Sequence, residues 1–227
     1  LDEDSVVRKV RIVKMRGQKF QGGSHDFVID TGRVAVFPRL VAARHRMPVQ
    51  HPAVTTGLRE LDHMLGGGLS PGTSTLFIGP SGIGKTTTAV HCMHAALQRC
   101  EKAVYYLFDE GISTLLLRSA ALGMDLAPYL DNGSLTLVAI DPAELSPGEF
   151  ACRVVDAVSK NGASFVAIDS LNAYLQAMSG QSLLLLHMHE LLTFLSFQNA
   201  TTILIVGQHG VVGNRSDLDL SYLSDAV

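Results

Sequence analysis

Residues 75–87 read Thr75-Leu76-Phe77-Ile78-Gly79-Pro80-Ser81-Gly82-Ile83-Gly84-Lys85-Thr86-Thr87. The first four suit a strand, positions 79–86 fit Gly-x-x-x-x-Gly-Lys-[Ser/Thr], and an amphipathic segment follows to residue 99. Strand, glycine turn and helix in this order present backbone N–H groups at the positive end of a helix, where they neutralise a polyphosphate without a mobile side chain. The spacing assigns Gly79, Pro80, Ser81, Gly82, Ile83 and Gly84 to that cradle. Lys85 is then expected to bridge the β- and γ-phosphates, with Thr87 near the α-phosphate. The Thr86 hydroxyl would coordinate Mg2+, a hard ion that prefers oxygen.

Working outward, near-continuous apolar runs at 75–78, 103–108, 134–140, 165–169 and 202–206 read as strands covered on both faces. Helical periodicity falls between them, at about 57–65, 84–99, 113–123, 147–161 and 182–198. The fourth helix has the clearest start, with Ser146 as N-cap, Pro147 at the first helical position and Glu149 closing a capping box. The alternation predicts an α/β fold with a mainly parallel sheet flanked by helices and right-handed crossovers. Ligands should gather at the carboxyl ends of its strands.

Three further groups fall at that edge. Asp169 ends the run Phe165-Val166-Ala167-Ile168 and is expected to orient the magnesium shell. Asp109 and Glu110 end the run 103–108. A carboxylate within reach of the water aimed at the γ-phosphorus serves as base or orienter, and Glu110 is assigned that role. Asp109 would hold the water or metal network, with exchange of the two roles, or capping of 111–113, as the alternatives. Gln208, just past 202–206, is a γ-phosphate contact or a loop amide. His187 and His189 with Glu190 look like a metal cluster, yet residues two apart on a helix point about 200° from each other. They are read as structural, as are His91 and His94.

Before residue 50, basic and apolar side chains alternate over 6–16, and two short strands at 25–30 and 33–37 are joined by Thr31-Gly32. This predicts an N-terminal β-hairpin arm, with Pro38 ending the pairing and 40–51 as a linker. The 227 residues carry a net charge of −3, but residues 1–50 hold ten Lys/Arg against five Asp/Glu and residues 51–227 eight against sixteen. A +5 arm thus precedes a −8 body; the body's sign disfavours a nucleic-acid partner. With 47% hydrophobic and 17% charged residues, disorder is excluded. Three cysteines without CxxC spacing suit a reducing, cytoplasmic setting. No run approaches the roughly 18 apolar residues of a membrane span, and the opening lacks the order of a signal peptide.

With the phosphate loop, the acidic pair and the Asp-ending strand in this order, the chain resembles RecA-fold ATPases and, more closely, the KaiC family of two-repeat clock-type proteins. The resemblance also rests on Thr56-Gly57-Leu58-Arg59-Glu60-Leu61-Asp62, Gly66-Gly67-Gly68-Leu69, Ile168-Asp169-Ser170-Leu171 and Asp219-Leu220-Ser221-Tyr222-Leu223-Ser224-Asp225. Val13-Lys14-Met15-Arg16-Gly17 with His25-Asp26-Phe27 is similar to the closing segment of a KaiC repeat. The resemblance implies a RecA-like P-loop ATPase core over residues 51–227 that binds ATP and Mg2+. It implies that residues 1–50 are the β-rich tail of a preceding repeat, so that the chain is a fragment of a longer protein. Lys14 and Arg16 would then reach a neighbour's nucleotide as a trans finger, and the finger for this chain's own site would lie after Val227.

The same resemblance implies slow ATP hydrolysis in a hexameric ring, a signalling or timing role, and in some members Ser/Thr self-phosphorylation. Ser221 matches one of the modified positions, but Tyr222 stands where the clock proteins carry Thr, and Asp109 stands where they carry Glu. The alternatives are a non-hydrolytic oligomerisation switch and a RecA-type DNA-repair ATPase. Ring formation and normal signalling with a non-hydrolysable analogue would distinguish the first; steeply salt-dependent DNA binding would distinguish the second.

Overall fold

A computed structural model describes residues 8–16, 19–42, 52–141, 145–177, 184–207 and 223–227. The expected alternation is present. Five strands, β4 (Ser74–Gly79), β5 (Lys102–Leu107), β6 (Leu135–Ala139), β7 (Ala163–Asp169) and β8 (Thr201–Gly207), form a parallel sheet in the order β4-β8-β7-β5-β6. β8 therefore lies between the strand that feeds the phosphate loop and the strand that ends in Asp169, with β5 on the far side of β7. All five carboxyl ends fall on one edge.

Alternating side chains divide the core in two. Val104, Tyr106, Val166, Ile168 and Leu204 face α5 (Pro147–Ser159), α6 (Leu171–Ala177) and α7 (Leu184–Phe197). Ala103, Tyr105, Leu107, Phe165, Ala167 and Ile203 face α2 (Lys85–Gln98), α3 (Ile112–Ala121) and α4 (Ala127–Asp131). Phe150 of α5, fully buried, meets Tyr106, Phe108 and Tyr174 in edge-on or tilted ring contacts 5.1 to 5.6 Å between centroids. Because both faces are covered, the strands need apolar residues at successive positions, which is why they appear in the sequence as unbroken runs.

Helix boundaries depart from the sequence reading in physical ways. The first helix shortens to α1 (Arg59–Met64), because Thr55, Thr56 and Asp62 use their polar groups on each other. Asp62 accepts from the Thr56 N–H at 2.7 Å, from the Thr56 hydroxyl at 2.6 Å and from the Thr55 hydroxyl. Burial pushes the Asp62 carboxyl up, but those hydrogen bonds outweigh it and hold it below the usual range. The helices α4 and α6 were not anticipated; both are short and carry little periodic signal. At α5, Ser146 accepts from the Glu149 N–H at 3.2 Å as expected, but the capping box is only half made: the Glu149 carboxylate instead receives Arg153 at 2.8 Å.

The N-terminal arm is a three-stranded antiparallel sheet, β1 (Arg8–Arg11), β2 (Ser24–Asp30) and β3 (Arg33–Phe37), turning at Thr31-Gly32. Among the described residues the pairing of β1 stops at Arg11, short of the alternation up to residue 16, because Arg11 stands opposite Ser24, where β2 begins. The arm rests on the body. Asp26 accepts from the Gly148 N–H at 2.8 Å, and Glu190 accepts from the Ala42 N–H at 3.1 Å. Residues 223–227 lie beside β4, where the Leu76 N–H donates to Ala226 at 2.8 Å and Asp225 accepts from the Ser74 N–H at 2.8 Å. No helix among the described residues is long and apolar enough to cross a membrane.

Candidate active site

The phosphate loop joins β4 to α2. Gly82 and Gly84 take left-handed backbone angles, φ +82° and +94°, and Gly84 is the N-cap of α2. Side chains there would be strained. The turn thus delivers the first N–H groups of α2 to the carboxyl edge of the sheet. Lys85 folds back over the loop and donates to the carbonyls of Gly79 and Pro80, both at 2.8 Å. This holds the loop open as a ring of backbone around the ammonium.

Thr86, one residue on, donates its hydroxyl to Asp169 Oδ2 at 2.7 Å, so the loop and the end of β7 are joined. The same oxygen accepts from the Tyr105 hydroxyl at 2.9 Å. Burial pushes the Asp169 carboxyl up, the two hydroxyls draw it back down, and the nearby Asp109 and Glu110 add to the upward push. Asp109 itself accepts from the Ser170 hydroxyl, and the Phe108 N–H donates to the Asp169 carbonyl at 2.7 Å, which locks the ends of β5 and β7 in register. Glu110 receives Arg118 of α3 at 2.7 Å. Asn172 completes the edge: its amide exchanges hydrogen bonds of 3.0 and 2.7 Å with the carbonyl and N–H of Gly207, fixing the end of β8.

Asp109, Glu110, Asp169, Lys85 and Thr86 therefore share one rim. Gln208 and Ser221 lie outside the described residues. Lys14 and Arg16 are exposed on the segment after β1. His94 packs edge-on against Tyr129 at 5.7 Å between ring centroids, and burial pushes it and His187 below their ordinary value. Sequence reasoning missed Tyr105, Arg118, Ser170 and Asn172. Tyr105 carried a signal, since a tyrosine inside an apolar strand needs a partner for its hydroxyl. Arg118, two helical turns beyond Glu110, carried a weaker one.

The donor set suits a hard cation. Thr86 and Asp169 supply two neighbouring oxygens, fewer than Mg2+ takes, and such an ion fills its remaining positions with phosphate and water oxygens.

A parallel α/β sheet with a phosphate loop at one strand end and acids at the two strands beyond defines a RecA-like P-loop ATPase core. The KaiC ATPase family model matches residues 54–225, and the chain belongs to that family. Among its relatives, the circadian clock protein KaiC2 of Synechocystis sp. (strain ATCC 27184 / PCC 6803 / Kazusa) is 28% identical over 171 residues, covering 75% of this chain and 30% of that protein. The circadian clock oscillator protein KaiC of Prochlorococcus marinus (strain MIT 9313) is 28% identical over 179 residues, 79% of this chain and 36% of that one. The oscillator protein KaiC of Thermosynechococcus vestitus is 27% identical over 175 residues, 77% and 33% respectively. The chain spans about a third of the length of these relatives.

Proposed function

We propose that residues 51–227 bind Mg-ATP at the rim formed by the phosphate loop, Asp169 and the Asp109-Glu110 pair, and hydrolyse it slowly. The observation that carries this reading is the 2.7 Å hydrogen bond from Thr86 to Asp169, which joins a phosphate cradle to an acid 83 residues away in sequence. In this reading the N–H groups from Ser81 to Thr87 hold the phosphates, and Lys85 exchanges its two carbonyl partners for phosphate oxygens. Thr86 and Asp169 would hold the magnesium ion, which would supply positive charge to offset that of the phosphates. Glu110 orients the attacking water and Asp109 supports it, with Gln208 meeting the γ-phosphate.

Residues 1–50 fit the tail of a preceding repeat, with Lys14 and Arg16 serving nucleotide across a subunit boundary in a hexameric ring. The relatives' printed descriptions, which name circadian clock proteins, support a clock-type signalling role as the reading to test. Ser221 is the position at which self-phosphorylation would be sought. A second reading, ATP as a non-hydrolysed ligand that drives oligomerisation, draws on the Arg118 ion pair, which engages Glu110 Oε2 and must give way before that oxygen meets a water.

Glu110→Gln in the full-length protein tests the first reading. ATP affinity should be retained while turnover falls by about 10² or more, the contribution of a positioned base. Equal rates for variant and parent would remove Glu110 from the mechanism and favour the second reading.

A further inference from the structure

Asp169 Oδ2 is held by two hydroxyls of different origin. Thr86 lies in the first turn of α2, directly after the phosphate loop. Tyr105 belongs to β5, in the middle of the sheet, and is fully buried. Its neighbour Tyr106 points to the opposite face, against Phe150, so β5 carries two buried tyrosines with unrelated surroundings. The Tyr105 ring packs where a phenylalanine would pack equally well; what the hydroxyl adds is the 2.9 Å bond to Asp169. Among the described residues, the other carboxylate oxygen, Oδ1, accepts no hydrogen bond.

We propose that Tyr105 is a positioning residue for the magnesium site: its hydroxyl, fixed to the sheet, holds Asp169 through Oδ2 and leaves Oδ1 for the metal's coordination shell. The inference rests on the reading of Thr86 and Asp169 as the magnesium-holding pair. Its physical basis is the difference between the two donors. The Thr86 hydroxyl adjoins the phosphate cradle and is itself assigned to the metal, whereas the Tyr105 hydroxyl is buried within the sheet and is free of that task. Hydrogen-bonding partners that orient a metal-holding group are typically worth 10- to 100-fold in metal affinity.

Tyr105→Phe keeps the ring and deletes the hydroxyl, and Tyr106→Phe makes the same deletion on the opposite face. Binding of a fluorescent methylanthraniloyl-ATP is titrated with Mg2+, and again with EDTA in place of the metal, after thermal melting has shown each variant folded. Tyr105→Phe should raise the Mg2+ concentration for half-maximal effect about tenfold, with EDTA-condition affinity unchanged, while Tyr106→Phe tracks the parent throughout. A Tyr105→Phe protein with the parent's Mg2+ dependence overturns the proposal, as does an equal loss of affinity with and without Mg2+, which would mark a packing defect. Failure of the parent itself to bind the nucleotide would instead overturn the reading of the whole site.

Discussion

Replacing Gly148 with alanine sets two effects against each other, and the structure decides between them. Gly148 lies in the first turn of α5, where alanine is favoured over glycine by up to about 1 kcal/mol. Its N–H, however, donates to Asp26 of the arm, and a Cβ built there would meet Asp26 Oδ2 at 2.6 Å and Asp26 Cβ and Cγ at 3.0 Å. Asp26 is 5% exposed and pairs with Lys9 on one side and Phe37 on the other, so its short side chain cannot swing away cheaply. Overpacking of this kind costs about 1–3 kcal/mol, and any lengthening of the Asp26 hydrogen bond adds to that cost. The helix gain is outweighed, leaving Gly148→Ala destabilised by about 1–3 kcal/mol, or roughly 3–10 °C for a chain of this size. Urea unfolding followed by circular dichroism reads the stability, and limited proteolysis of β2 and β3 reads release of the arm. The Asp26→Ala background provides the sharper check. With the carboxylate gone the contacts with Oδ2 and Cγ disappear and only the Cβ contact at 3.0 Å remains, so the same glycine replacement should cost clearly less than it does in the parent. An alanine at 148 that stabilises the parent would show that Asp26 is not seated against α5.

Two further outcomes follow from burial. His187 of α7 is pushed below its ordinary value of 6.5 by burial, with Asp26 and Glu190 opposing and Lys9 and Arg39 adding to the shift. The unfolded chain therefore binds the proton more readily, so this group's contribution is intact above 6.5 and is lost as pH falls through 6.5 toward the folded value. The decrease in urea midpoint between about pH 7.5 and about pH 5.5 should be smaller in His187→Gln than in the parent; equal decreases would refute the assignment. Burial also pushes the Cys92 thiol up to about 12, whereas Cys100 is exposed. Because the thiolate is the reactive form, iodoacetamide should modify Cys100 in the folded protein and Cys92 only on unfolding, as read by peptide mass mapping. Similar rates for both would contradict the packing of α2 against the sheet.

The body of the fold was legible because parallel strands buried on both faces need apolar residues at every position, and because the turn at Gly82 and Gly84 admits few alternatives to glycine. The positions of Lys85, Thr86 and Asp169 could be read from spacing for the same reason. What spacing could not supply is contact between distant segments. The capping box at Ser146 looked complete in the sequence, but Arg153, one turn further on, competes for Glu149. The seat of Asp26 against Gly148 joins residues 122 apart, and nothing local in either segment announces it. α4 and α6 are too short for periodicity to register.

The acids at the rim also differ in a way that only their partners reveal. Asp169 and Asp109 are held by hydroxyls of Thr86, Tyr105 and Ser170, all attached to the sheet edge or the loop beside it. Glu110 is held by Arg118, whose side chain is 39% exposed, from the last turn of a separate helix. Partly exposed ion pairs contribute about 0–1 kcal/mol, so exchanging Arg118 for water costs little. Removing Asp169 from its buried hydroxyls would leave polar groups unsatisfied, at about 1–3 kcal/mol each. The rim thus contains one carboxylate fixed by burial, Asp169, and one that can turn, Glu110, and the proposed water-orienting role of Glu110 would use that freedom. This energetic difference separates Glu110 from Asp169, the buried acid of the rim.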